Sequence, residues 1–229
     1  MAVEGCLMLT ETILYLGTFF TGIITAITVG ISRVDFSGDC VLFAEVAWCN
    51  STAFYFSQLG SNGVCGFSIG LDIVTAFYAL VVCLYHVSVF CQWANERRWV
   101  MLPAIIISAV CLTLLFIDSC ILSIGFKTFC STIIGGQAMG STITQCSDDL
   151  SGIAWNALPK CAAEGTSDHG PYTSSANFFA FLTTAQGASW VGVLFWLLIL
   201  ISAVIRRIRD RPVLDPTSDK AAIVSNVTI

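Results

Sequence analysis

The sequence predicts an all-α membrane protein: a four-helix transmembrane bundle with a small, disulfide-braced, β-rich extracellular cap. Three observations lead there. The 229 residues are 56% hydrophobic and only 11% charged, with a mean hydropathy of +0.82, whereas ordinary soluble domains carry about 25% charge. Four apolar runs are each long enough to cross a hydrocarbon core, which takes roughly 20 helical residues. Six of the 11 cysteines lie in the two longer polar stretches between those runs.

The third run is the plainest. Trp99 to Phe126 holds 28 residues with no Lys or Arg, flanked by Arg97-Arg98 and Lys127. A soluble helix so apolar on nearly every face would need protein on all sides. The span itself is placed at about 100–126, with Pro103 in its first turn, where a missing N–H is tolerated.

The first span is placed at 12–32. Before it, MAVEGCLMLTE carries Glu4 and Glu11 and no Lys or Arg, unlike the positive start of a signal peptide, so this span is expected to be retained. Thr18, Gly22, Ala26 and Gly30 recur every four residues. They put small side chains on one helix face, suited to packing within the bundle or to a dimer contact. The first outer loop, 33–66, contains two strand-like segments, Val41–Trp48 and Thr52–Leu59, rich in β-branched and aromatic residues. Between them Asn50-Ser51-Thr52 is a sequon, so Asn50 is a candidate glycosylation site.

The second span is placed at 67–90, with Gly66 and Gly70 forming a GxxxG at its outer end. A short basic turn with Trp93, Arg97 and Arg98 joins it to the third. The second outer loop, 127–177, has turn signals at Gly135-Gly136, Gly140, Pro159 and Gly170-Pro171, and one short strand is expected at Ser141–Cys146. The fourth span is placed at 178–205, its first part extending above the membrane. Residues 1–205 thus form one membrane domain, and 206–229 are expected to be a disordered cytoplasmic tail. The ending Val227-Thr228-Ile229 fits a PDZ groove by strand addition.

Charge sets the expected orientation. Seven Lys or Arg lie in the Arg97-Arg98 turn and the tail, against three (Arg33, Lys127 and Lys160) in the other two loops. Positive charge marks the cytoplasmic side. Both termini are therefore expected in the cytoplasm of a multi-pass protein of the plasma membrane or endomembrane vesicles. Cys40, Cys49, Cys65, Cys130, Cys146 and Cys161 then all fall outside, where disulfides persist. Six cysteines allow 15 pairings, and counting does not choose among them.

A net charge of −5 gives no basic surface for nucleic acid. His169 beside Asp168 has no nucleophile placed with it, and CxxC and HExxH spacings are absent, so no enzyme, metal or cofactor is expected. The polar residues inside spans are the functional candidates, because a charge in hydrocarbon is costly and often marks an ion path. Asp72 lies roughly 9 Å inside the second span at 1.5 Å per residue. Asp118 precedes Lys127 by nine residues, in the outer part of the third. Together they suit a cation or proton site; otherwise each is a packed carboxyl, protonated or bonded to Ser or Thr. His86, near the inner end, reads as a packed or interfacial histidine or a proton relay.

Several blocks carry a family likeness. Phe36 to Phe43 (FSGDCVLF), Cys65-Gly66-Phe67, Cys120 to Cys130 (CILSIGFKTFC), Thr144 to Ser147 (TQCS) and Ser189-Trp190-Val191 resemble, in order and spacing, the transmembrane protein 179 family across nearly the whole chain. The resemblance implies four outer cysteines paired within each loop, Cys40–Cys65 and Cys130–Cys146. Cys49 and Cys161 are extra to that pattern, and either form a third bridge or stay unpaired. Asp118 stands where the family usually has a small residue. The resemblance supplies no biochemical activity, and the plan also resembles claudin-like tetraspans in topology. The expected role is a tetraspan structural or accessory protein, working in the lipid bilayer through its outer loops and helix faces on a membrane-protein partner or a second copy of itself. The alternative is a small ion channel or transporter using Asp72 and Asp118.

Overall fold

A computed structural model describes residues 2–51, 53–91, 98–141, 143–148, 154–155 and 177–209. Four long helices carry the fold: α1 (Ala2–Asp35), α2 (Asn62–Phe90), α3 (Arg98–Ile134) and α4 (Phe178–Arg209). Each is long and apolar enough to cross a membrane. In a bilayer every backbone N–H and C=O must be satisfied inside its own segment, which helices do. Around the bundle the order is α2–α1–α4–α3, with α1 packed on both α2 and α4, and α2 meeting α3 only lightly. Outward-facing residues such as Phe20, Ile27, Phe77, Val81, Phe116 and Leu194 are exposed apolar side chains suited to lipid.

Between α1 and α2 the chain forms the expected hairpin, β1 (Cys40–Asn50) antiparallel to β2 (Ala53–Gly60). A third strand, β3 (Ala154–Trp155), adds to β2 in parallel. The β1–β2 register slips between Cys40 and Glu45, and Phe43 there takes a positive φ of 63°, a bulge that bends the strand. Gly60 makes this possible. A Cβ on it would stand 1.8 Å from the Leu42 carbonyl oxygen, a contact with backbone that no side-chain movement relieves.

The cap sits on α3, which runs beyond Phe126 to Ile134 and carries its last turns into the cap. Phe129 and Ile133 of that extension are fully buried. Phe56 stacks on Phe129 at 6.1 Å, while Phe36 and Phe178 meet Phe129 edge-on at 6.5 and 5.6 Å. Trp48 lies over Gly136 and its Nε1–H donates to the Thr132 carbonyl at 3.3 Å. This aromatic core joins the sheet to α1, α3 and α4. Two disulfides with both cysteines among the described residues brace the cap: Cys40 with Cys65 at the first turn of α2, and Cys130 in α3 with Cys146. The bundle has its own core around Trp196, which stacks on Tyr78 at 6.0 Å and takes Tyr15 edge-on at 6.0 Å.

Two expectations are corrected. Ser141–Cys146 is not a strand over its described residues. Its backbone is claimed by side chains instead: the Gln137 amide donates to the Ile143 carbonyl, and Asp148 Oδ2 accepts the N–H groups of Thr144 (2.7 Å) and Gln145 (2.8 Å). Arg206, Arg207 and Arg209, expected in the tail, form the last turn of α4, where basic side chains are favoured by the helix dipole. Residues 210–229, including Ile229, and Cys161 lie outside the described residues, as do Trp93 and Arg97.

Two outcomes follow for the cap. Replacing Cys65 with Ser opens a link spanning 25 residues; loop-closure entropy then predicts a loss of about 3 kcal/mol, read as a lowered Tm that dithiothreitol no longer lowers further through this bond. The N–H donors of Gln145 and Thr144 hold the exposed Asp148 carboxyl below the usual carboxylate range. A lowered folded value means that its contribution is complete above the unfolded value of about 4 and is lost as pH falls below that. Amide exchange at Thr144 and Gln145, corrected for the intrinsic rate, should therefore accelerate on acidification below about pH 4, and should be fast at neutral pH in Asp148→Asn.

Candidate functional site

The bundle holds its polar side chains in two clusters, one toward the cap and one at the opposite end. Helix periodicity places both. In α1, Thr18, Thr21 and Thr25 are three and four residues apart and so share a face. In α2, Ser68, Asp72 and Thr75 do the same, and all three are buried. The two faces meet because Gly22 lets α2 come close: a Cβ there would be 3.0 Å from the Asp72 carbonyl oxygen and 3.1 Å from Ala76 Cβ. On the other side Gly192 admits Thr21, whose Oγ1 lies 3.2 Å from the Cβ position.

Asp72 and Asp118 are both fully buried, with 1% and 0% of their surface exposed. The structure brings them together across α2 and α3, within electrostatic reach of each other. Asp118 Oδ2 accepts the Ser68 hydroxyl at 3.1 Å. Asp118 Oδ1 and Asp72 Oδ2 have no hydrogen-bond partner among the described residues. Asp72 borders a cavity of about 10 Å³, walled by Thr18, Thr21, Thr25, Thr75, Ser189 and Trp196 among others. That is room for roughly one water-sized particle. Beside it Ser119 of α3 and Ser189 of α4 share a hydrogen bond, and Trp190 Nε1–H donates to Ser123 Oγ at 3.0 Å.

The second cluster is at the end of the bundle away from the cap. Arg206 Nη1 donates to Glu11 Oε2 at 2.7 Å, and His86 Nδ1 is 3.9 Å from the same oxygen. Tyr15 meets the His86 ring edge-on at 5.5 Å. Glu11 is buried to 3% exposure, so this ion pair ties the first helix to the last inside the molecule. His86 therefore packs against a carboxylate and two tyrosines, Tyr15 and Tyr85. Sequence reasoning missed Glu11 and Arg206. A first span starting at Thr12 leaves Glu11 outside it, and Arg206 falls in the expected tail. The threonine ladder of α1 is visible as a spacing, yet of its members only Thr18 falls on the small-residue face of Thr18, Gly22, Ala26 and Gly30.

In the cap, Cys49 is disulfide-bonded as well. Asn50 is exposed at the end of β1, next to the hairpin turn. Gly66 and Gly70 of α2 have nothing near enough to touch an added Cβ, and the same holds for Gly30 of α1. No group of three His, Cys, Asp or Glu residues converges among the described residues.

The family model described as "Transmembrane protein 179/179B Claudin domain" matches residues 7–223. The chain is similar to transmembrane protein 179B of Danio rerio, at 28% identity over 94% of this chain and 90% of that protein. It is similar to transmembrane protein 179B of Homo sapiens at 26% identity, covering 86% of this chain and 81% of the relative. Transmembrane protein 179B of Mus musculus is 28% identical over 83% of this chain and 78% of its own length. No solved structure was found to match.

The buried ion pair yields a double-mutant test. Removing one partner of a buried pair strands the other charge and costs about 3–5 kcal/mol, while replacing both with apolar residues is close to neutral. Glu11→Leu and Arg206→Leu should each lower the Tm of the detergent-solubilised protein clearly. The double variant should recover most of the loss, giving a coupling of about 2 kcal/mol or more.

Proposed function

This chain belongs to the transmembrane protein 179/179B claudin-domain family, and from that premise we propose that it is a tetraspan structural or accessory protein of the membrane. It acts through its outer cap and lipid-facing helix surfaces on another membrane protein or on a second copy of itself. The observation that carries this reading is the packed interior of the bundle over its described residues. Its described polar space narrows to a cavity of about 10 Å³ against Asp72, and the opposite end is shut by the Glu11–Arg206 pair under Tyr15 and His86. Solute passage needs a continuous polar path, and this interior is filled by Trp196, Tyr78 and Tyr15 instead.

What stays open is the outside. The Gly66–Gly70 edge of α2 offers the kind of surface on which a second helix can pack closely. The orientation that fits this role puts both termini in the cytoplasm and the cap outside, at the plasma membrane or on endomembrane vesicles. The disulfides of the cap and the basic last turn of α4 support it. In that orientation Asn50 is an exposed glycan acceptor.

Crosslinked co-purification from mild detergent tests the reading. A stoichiometric membrane partner, or a homodimer that Gly66→Leu/Gly70→Leu dissolves, is the expected result. Ion or solute flux through the purified protein in liposomes, lost in Asp72→Asn and Asp118→Asn at normal surface expression, would instead establish the channel or transporter role.

A further inference from the structure

The cavity beside Asp72 has an unusual balance of donors and acceptors. Each hydroxyl on its wall has already spent its proton. Thr18 donates to the Tyr15 carbonyl (2.8 Å), Thr21 to Thr18 (3.1 Å), Thr25 to Thr21 (3.0 Å) and Thr75 to Leu71 (2.9 Å). Ser119 donates to the Leu115 carbonyl at 2.9 Å, so in the Ser119–Ser189 bond it is Ser189 that donates. What those five hydroxyls turn toward the cavity is lone pairs. Asp72 Oδ2 adds a further acceptor, and it has no hydrogen-bond partner among the described residues. Against these, the lining contains one side-chain N–H, that of Trp196, and no Lys, Arg or His.

Such a wall is built for a positive charge. A carboxylate buried to 1% exposure inside a bilayer either takes up a proton or needs a counter-charge, and a water molecule would occupy the space without supplying one. The ligand set selects the kind of cation. Carboxylate and hydroxyl oxygens are hard donors, and neither sulfur nor nitrogen ligands gather here, which disfavours transition metals. Calcium commonly takes several carboxylates and magnesium retains its waters; a single carboxylate in the lining offers too little charge for the first, and one water-sized space too little room for the second. The neighbouring Asp118 is turned to Ser68.

The geometry points to a binding site for a single dehydrated sodium ion, with the Asp72 carboxylate as the charged ligand and the hydroxyl oxygens of Thr25 and Thr75 among its neutral ones. The ion ties α1, α2 and α4 together at the place where Gly22 and Gly192 bring them closest. This site holds whether the protein serves as an accessory subunit or conducts, since it concerns what stabilises the bundle.

The test is the thermal stability of the full chain in detergent, followed by intrinsic tryptophan fluorescence, with sodium chloride exchanged for choline chloride at constant ionic strength. The Tm should rise by about 3–5 °C for each tenfold of sodium above Kd, with potassium weaker because the space is small. Asp72→Asn should abolish the dependence. Should that variant fail to fold, Thr75→Val and Thr25→Val, which remove one neutral ligand each, should shift the sodium midpoint upward tenfold or more. A wild-type Tm indifferent to sodium but responsive to pH would overturn the proposal in favour of a proton on Asp72. A sodium response unchanged in Asp72→Asn, or in both threonine variants, would place the ion elsewhere and overturn it equally.

Discussion

In a bilayer two helices gain little by hiding apolar surface from each other, because lipid tails are as apolar as leucine. Association then rests on how closely backbones approach and on the polar contacts that approach allows. In this protein α1 meets that constraint for the whole bundle. It is the helix packed against both α2 and α4, and it does so with Gly22 set on the Asp72 carbonyl and Thr21 set into Gly192. Once those surfaces are in contact, the threonine face of α1 has no choice but to look at Asp72. The polar cluster is a consequence of the packing. By contrast α2 and α3 meet only lightly, and the Ser68–Asp118 hydrogen bond spans them.

The cap follows from a different requirement. A three-stranded sheet with one two-residue strand has little stability alone. It is held by being built on α3, whose last turns supply Phe129, Ile133 and the Gly136 seat of Trp48. The Cys40–Cys65 and Cys130–Cys146 disulfides each engage one end of a long helix. Cys65 is in the first turn of α2, which Ser61 caps by accepting the Gly63 N–H, and Cys130 is near the end of α3. Each therefore staples a soluble element to a helix the bilayer already holds in place, so the sheet inherits its order from the bundle.

Much of this was legible in the chain. The four spans follow from length and hydropathy, and the hairpin from two aromatic and β-branched segments around Asn50-Ser51. Ser141–Cys146 has strand-like residues, but a strand needs a neighbour, and here Asp148 and Gln137 take the backbone groups that a neighbour would have used. The Glu11–Arg206 pair spans 195 residues and joins two positions that hydropathy places just beyond the ends of their spans. Nothing local marks either residue as buried; only the pairing of α1 with α4 does. Asp72 and Asp118 stood out singly because charge in a span is rare. Their shared depth could be counted from the helix rise, but the hydroxyl wall around one of them could not, since it depends on which face of α1 turns inward.

The two polar clusters differ in a way that bears on what the molecule can do. At the end away from the cap, charge is answered by charge: Glu11 has Arg206 at 2.7 Å. Nearer the cap, two carboxyls face hydroxyls and no basic side chain, so the described protein leaves their charge to be answered by something small. A bundle that conducts would have to open both places, breaking a buried ion pair at one end and parting helices that meet at glycine at the other. A bundle that serves as a rigid support for the cap gains from each as it stands. The ion pair fixes the ends of α1 and α4, and a bound counter-charge at Asp72 would fix their middles. The outward faces, including the open Gly66–Gly70 edge, then remain the part of the molecule free to meet another protein.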